Sequence, residues 1–187
     1  MRLIIMGPPG AGKGTQASRI AAHLGVPHIS SGEIFRNNIA AGTDLGVLAK
    51  TYIDRGDYVP DDVTNGMIRE RLAQPDAAAG FLLDGYPRTI DQIERLDEIL
   101  AESGLSIDMV LELTADPEAV VKRLLARAEV EGRTDDNDDV IRNRLVVYHQ
   151  QTAPLTAIYA DRGLLVQVDA LGTIDEVTER ILTTLNR

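Results

Sequence analysis

Near the amino terminus, Gly7-Pro8-Pro9-Gly10-Ala11-Gly12-Lys13-Gly14-Thr15 sets glycines, a lysine and a hydroxyl at the spacing of a phosphate-binding loop. Glycines let a backbone wrap an anion with its N–H groups inward, and a helix opening behind the loop adds its positive end. Lys13 has the reach to sit between β- and γ-phosphates. The residue after it is Gly14, where the pattern has Ser or Thr, and the hydroxyl comes one later at Thr15, which weakens any direct Mg²⁺ contact by Thr15. A glycine-rich turn without ligand is the competing interpretation.

A second cluster is Phe81-Leu82-Leu83-Asp84-Gly85-Tyr86-Pro87-Arg88, an apolar run ending in an acid. Beside a phosphate loop, Asp84 suits Mg²⁺, held through water because this ion keeps several of its waters. Alone, the run also reads as a strand end with an acidic cap and a surface arginine. The third cluster is Arg123, Arg127, Arg133, Arg142 and Arg144. Arg123 and Arg127 share a helix face, whereas Arg142 and Arg144 point to different faces. Between residues 122 and 144, six acids against six bases also allow a surface laced with ion pairs. His23, His28 and His149 show no metal-ligand spacing and read as structural, and no G-x-S-x-G elbow appears.

These groups need a scaffold. Leu3 to Met6, Val26 to Ile29, Phe81 to Leu83, Met109 to Leu113 and Leu164 to Val168 read as strands buried on both faces of a parallel sheet. Helix signals fill the gaps, beginning with a helix from Gln16 to His23. Ser30 with Glu33, and Thr173 with Glu176, form capping boxes, and Asp116-Pro117-Glu118 reads as a helix start. Gly104 and Gly163 sit where helices should stop. The expected fold is α/β, with right-handed crossovers around five parallel strands. Two excursions, 30 to 59 and 128 to 139, break the rhythm and are candidates for binding loops or lids.

The 187 residues suit one domain of ordinary size. The 19 basic and 29 acidic residues leave a net charge of −10, so a broad basic face for nucleic acid is excluded and any polyanion must be gripped locally. Sixteen of the 19 bases are arginine, which fits either codon bias or a need for planar phosphate-gripping forks. Cysteine is absent, excluding disulfides and thiolate metal sites, and no apolar run approaches the ~18 residues of a membrane span. Without an export signal, the expectation is a cytoplasmic protein.

Together these residues resemble adenylate kinase in its short-lid form. Gly7 to Gln16 is similar to that family's phosphate loop, including the shifted Thr15. Ile29-Ser30-Ser31-Gly32-Glu33-Ile34-Phe35-Arg36 is similar to its nucleoside-monophosphate motif, with Ser31 for the usual Thr and Glu33 for the commoner Asp. Asp84 to Arg88 with Gln92, Gly132 to Asn137 with Arg144, and Tyr148 to Pro154 also match, in order, along nearly the whole chain. The resemblance implies a P-loop three-layer sandwich with a five-stranded parallel sheet. It divides the chain into a core of 1–29, 60–125 and 137–187, a helical NMP-binding insertion at 30–59 and a short lid at 126–136.

It further implies reversible, Mg²⁺-dependent phosphoryl transfer from ATP to AMP, giving two ADP. Gly10, Ala11, Gly12, Lys13, Gly14 and Thr15 would bind ATP phosphates, with Arg123 and Arg127 flanking the nucleotide and Gly172 offering its backbone to the adenine. AMP would be held by Ser31, Arg36, the backbone of Asp57, Tyr58 and Val59, then Gly85, Tyr86, Pro87, Arg88, Gln92, Arg133 and Arg144. The catalytic cations would be Lys13, Arg88, Arg123, Arg127, Arg133 and Arg144, with Asp135 and Asp136 orienting arginines. No structural zinc is expected, since the long Cys-bearing lid of some members is missing, and a monomer without nucleic-acid or membrane partners is implied. The nearest rival is a UMP/CMP kinase, against which Gln92 and the Ser31 hydroxyl argue. A nucleotide-switch protein would lack a reason for the acceptor-site residues, and no N-K-x-D motif is present.

Overall fold

A computed structural model describes residues 1–131 and 137–185. Five strands form one sheet: β1 (Arg2–Met6), β2 (His28–Ser30), β3 (Phe81–Asp84), β4 (Met109–Thr114) and β5 (Leu165–Asp169). All pair in parallel, in the order β2-β3-β1-β4-β5. Alternate residues of each strand face opposite layers. Ile4, Leu83 and Val110 join one hydrophobic cluster, while Leu3, Ile5, Leu82 and Leu111 join another across the sheet. This two-sided burial is why the strands read as unbroken apolar runs.

The helices are α1 (Lys13–Leu24), α2 (Ser31–Ala41), α3 (Asp44–Ile53), α4 (Asp61–Leu72), α5 (Ile90–Ala101), α6 (Pro117–Glu131), α7 (Asp138–Val147), α8 (Leu155–Asp161) and α9 (Ile174–Leu185). On one face of the sheet, α1 brings Ala17, Ile20 and Ala21 and α9 brings Val177 and Ile181. On the other, Ile68 of α4, Ile93 and Leu96 of α5, and Leu155 and Tyr159 of α8 fill the core. The spacings of three and four residues give each helix one buried stripe. The sandwich therefore has three layers, as the sequence implied. Among the described residues, no helix is long and apolar enough to cross a membrane.

The expected caps form. Ser30 Oγ accepts from the Glu33 amide at 3.3 Å, and Asp116 Oδ1 accepts from the amides of Glu118 and Ala119. Thr173 and Glu176 make a reciprocal pair, each side chain accepting from the other's amide. Strands β1, β3, β4 and β5 differ from expectation by one residue at one or both ends, and three other boundaries differ for local reasons. The amide of Val26 closes α1 by donating to Ala21 O, so β2 begins later, with Pro27 O accepting from Leu82 at the edge of the ladder. Helix α1 starts at Lys13 rather than Gln16, because Gly12, with φ of 91°, turns the loop left-handed and caps the helix directly. Finally, α6 runs to Glu131, so the segment assigned to a short lid begins as helix; its remainder, 132–136, lies outside the described residues.

Ile4 sits on the central strand with no exposed surface. Replacing it with Ala should cost about 2–5 kcal/mol in chemical denaturation, whereas Val47→Ala on exposed α3 should cost less than about 0.5 kcal/mol. Equal costs would mean the sheet core is misplaced.

Candidate active site at the carboxyl ends of the strands

Most of the described candidate groups lie near the carboxyl ends of the strands, the edge at which open parallel sheets bind ligands. The loop after β1 presents its glycines around Lys13, whose Nζ donates to Gly7 O at 2.8 Å and Pro8 O at 3.0 Å. Gly10, Ala11, Gly12, Gly14 and Thr15 line a polar cleft of about 890 Å³, large enough for a nucleotide. Its far wall is the turn after β5. There Arg123 donates to Ala170 O at 3.1 Å, bringing it beside Gly172, Thr173 and Ile174. Gln16, 3% exposed, ties the two walls together: its amide donates to Ile174 O and accepts from the Thr178 hydroxyl.

Asp84 ends β3 in the floor of this cleft, 8% exposed. Burial pushes its carboxyl up, but the adjoining His28 and the charges of Lys13 and Arg88 outweigh burial and hold it below the usual carboxylate range. The carboxylate is therefore charged and faces the phosphate loop; a methyl added to Gly14 would stand 3.7 Å from Asp84 Oδ2. His28 Nε2 lies 3.4 Å from the same oxygen, too long for a strong hydrogen bond, and its Nδ1 is 3.2 Å from Ser18 Oγ. A charged carboxylate oxygen facing the phosphate loop is a hard donor of the kind that suits a cation such as Mg²⁺. Among the described residues no three His, Asp or Glu side chains cluster to hold a metal, so phosphate oxygens and water would supply most of its ligands.

A second, more apolar cleft of about 130 Å³ opens beside the first, under α2 and α3. Its polar edge is the turn after β3. Gly85, at φ of 76°, bends the chain so that its carbonyl accepts from Ser31 Oγ and from Arg88 Nε, both at 2.7 Å. A Cβ on Gly85 would come within 2.7 Å of Ser31 Oγ. The Arg88 guanidinium lies over the Tyr58 ring, 4.9 Å from its centre. Tyr58 is fixed in turn: its hydroxyl is 2.7 Å from Thr152 Oγ1, which donates to Arg88 O at 3.0 Å. Thr152 closes a π-helical turn, Tyr148–Thr152, that follows α7. Val59, Pro87 and Gln92 line the same cleft. Tyr86 stands behind the wall, 1% exposed, its hydroxyl donating to Asn65 Oδ1 at 2.7 Å.

The two clefts share one wall, and on it stand Lys13, Arg36, Arg88 and Arg144. Arg142 is exposed and turned away, as the two-residue spacing on α7 required. Asp57 is held by Asn143, whose amide donates to Asp57 Oδ1 and Arg55 O, tethering the 55–57 loop to α7. The backbone of Arg127 lies in α6, and Arg133, Asp135 and Asp136 lie outside the described residues. Sequence reasoning read His28 as structural, included Thr152 only within the Tyr148 to Pro154 match, and did not single out Asn143. For His28 the missing signal was strand pairing: only the alignment of Ser30 with Asp84 brings β2 beside the acid.

The family model for adenylate kinase matches residues 5–164. A protein named adenylate kinase from Thermobifida fusca is 56% identical over 185 residues, covering 99% of this chain and 98% of its own. Another of that name, from Kocuria rhizophila, is 59% identical over 186 residues, covering 100% and 99%. A third, from a Nocardioides species, is 58% identical over 186 residues, covering 100% and 97%. The phosphate loop, the charged strand end and the four cations between two clefts thus stand in a chain that matches these proteins along its full length: it belongs to the adenylate kinase family of nucleoside monophosphate kinases, which are phosphotransferases.

Proposed function

We propose that this chain transfers the γ-phosphoryl group of ATP to AMP reversibly, giving two ADP and keeping adenine nucleotides in balance. The observation that carries the reading is the shared wall: Lys13, Arg36, Arg88 and Arg144 lie where a phosphate chain from either cleft would end. ATP takes the polar cleft, its phosphates on Gly10 to Thr15, with Arg123 and Arg127 alongside and Gly172 near the base. AMP takes the apolar cleft, between Ser31, Arg36, residues 57–59, residues 85–88 and Gln92, with Arg133 and Arg144 reaching its phosphate. The acceptor is already anionic, so no general base is required. The demand is for positive charge placed before the reaction begins, and fixed cations meet it at little reorganisation cost. When bound with ATP, Mg²⁺ supplies charge neutralisation at the β- and γ-oxygens, and Asp84 would hold it through water.

The apolar cleft is smaller than a nucleotide site, which typically needs several hundred Å³. Segment 30–59 therefore moves to admit AMP, and with 126–136 it acts as a cover on the core of 1–29, 60–125 and 137–187. Closing over both substrates keeps water from the donor phosphate. Both clefts belong to one chain, so a monomer suffices, and the compartment proposed with this activity is the cytoplasm. A UMP/CMP kinase would share the phosphate grip. The donor-and-acceptor amide of Gln92 suits adenine better, and the full-length relatives give that alternative no support.

Three outcomes test this. Lys13→Met should fold normally and lose on the order of 10²–10³ in kcat, the usual worth of one charge-stabilising donor; near-normal turnover removes the phosphate-loop role. Gln92→Leu should raise the KM for AMP by about tenfold or more while the KM for ATP moves less than about twofold; equal shifts mean the clefts are misassigned. Removing Mg²⁺ should abolish transfer, whereas a strong zinc chelator should leave the melting temperature unchanged.

A further inference from the structure

Gln92 sits in a closed ring of hydrogen bonds. Its Oε1 accepts from the Arg88 amide at 2.7 Å, and its Nε2 donates to Asp61 Oδ1 at 2.6 Å. The other Asp61 oxygen accepts from Thr89 Oγ1 at 2.7 Å, and that hydroxyl accepts from the Gln92 amide at 3.2 Å. Asp61 is the first residue of α4, where a negative charge meets the positive helix end. Gln92 is 2% exposed and lines the apolar cleft.

A carboxamide offers two N–H donors and two acceptor lone pairs. The ring uses one of each and leaves one of each. It also settles which end is which, because the Arg88 N–H demands an oxygen and the Asp61 carboxylate demands an N–H. Turning the amide over would set N–H against N–H and oxygen against carboxylate, a buried mismatch at both ends. We infer that Asp61 is a positioning residue that fixes the polarity of Gln92 and thereby sets the choice of acceptor base. This rests on the placement of the AMP base at Gln92.

The chemistry follows from the base edges. Adenine offers an acceptor at N1 and a donor at its 6-amino group, and hypoxanthine reverses both, with a donor at N1 and an acceptor at O6. A locked amide pairs with adenine, its N–H to N1 and its oxygen to the amino group. Hypoxanthine in the same pose meets like with like at both points. A free amide would turn over and accept either base, so discrimination depends on the lock and not on Gln92 alone. Asp61 need not touch the nucleotide to do this.

The test compares kcat/KM for AMP and for IMP, with ATP as donor, in the full chain. Asp61→Ala should lower the AMP-to-IMP ratio by about tenfold, roughly the worth of one hydrogen bond. The KM for ATP should move less than about twofold. Asp61→Asn, whose Oδ1 can still accept from Gln92 Nε2, should keep the ratio within about threefold of the parent. In a Gln92→Leu background, Asp61→Ala should leave the ratio where Gln92→Leu put it, since Asp61 acts through that amide. If Asp61→Ala does not fold, Asp61→Ser carries the same comparison, its hydroxyl being too short to hold the amide. An Asp61→Ala enzyme that weakens for both bases alike, with the ratio intact while Gln92→Leu changes it, overturns the inference. If Gln92→Leu itself leaves the ratio intact, the placement of the base at Gln92 fails, and the inference with it.

Discussion

The site depends on holding cations close together before any phosphate arrives. The solution is to fasten them to backbone carbonyls: Lys13 to Gly7 and Pro8, Arg88 to Gly85, Arg123 to Ala170. A carbonyl dipole orients a cation without cancelling its charge. Elsewhere the arginines pair with carboxylates, as Arg19 does with Asp175, Arg69 with Glu102 and Arg71 with Asp76. Those exposed pairs contribute little to stability. Asp84 lies beside His28 and within the field of Lys13 and Arg88, and together they hold its carboxyl below the usual carboxylate range despite burial. The overall charge of −10 makes this local concentration the more necessary, since the molecule as a whole repels its substrates.

From that requirement the rest of the fold can be understood. Carbonyls are available as anchors only where the backbone leaves regular structure, and the parallel sheet gathers such exits at one edge. Each strand delivers a different part: β1 the phosphate loop, β3 the acid and the Gly85 turn, β5 the Ala170 turn. The helices fix the angle of these exits through caps at Ser30, Thr89 and Thr173. A cap costs one side chain and makes the transition from strand to helix abrupt.

How much could be read from the sequence followed how local each feature is. The loop around Lys13, the five strands, the capping boxes and Asp84 at a strand end all rest on neighbours within a few residues, so periodicity and spacing revealed them. Features made by distant pairing did not show. Thr152 reaches Tyr58 across 94 positions, and Asn143 reaches Asp57 across 86. Gln92 was placed at the acceptor base from its motif, but its bond to Asp61, 31 residues away, exists only once α4 packs on α5. The Tyr86 side chain is buried, and its hydroxyl bonds Asn65, 21 residues away, a contact that its motif does not show. A motif shows which residues gather and leaves open which of them face the ligand.

The strand order β2-β3-β1-β4-β5 has an evolutionary consequence. Most of the apolar cleft comes from chain between β1 and the start of α5; among the described residues its distant contributors are Arg144 of α7 and Tyr148 and Thr152 of the turn that follows. The polar cleft draws on the loop after β1, on α2 and the end of β3, and on the turn after β5, at the opposite end of the polypeptide. The two clefts thus share a wall and differ in their outer parts, residues 53–64 lining the apolar cleft alone and residues 170–177 the polar cleft alone, across a sheet in which β1 pairs with β3. Substitution in those outer parts can reshape one cleft while the lining of the other stays as it was. Such a layout lets one architecture diversify into kinases of several monophosphates by piecemeal substitution.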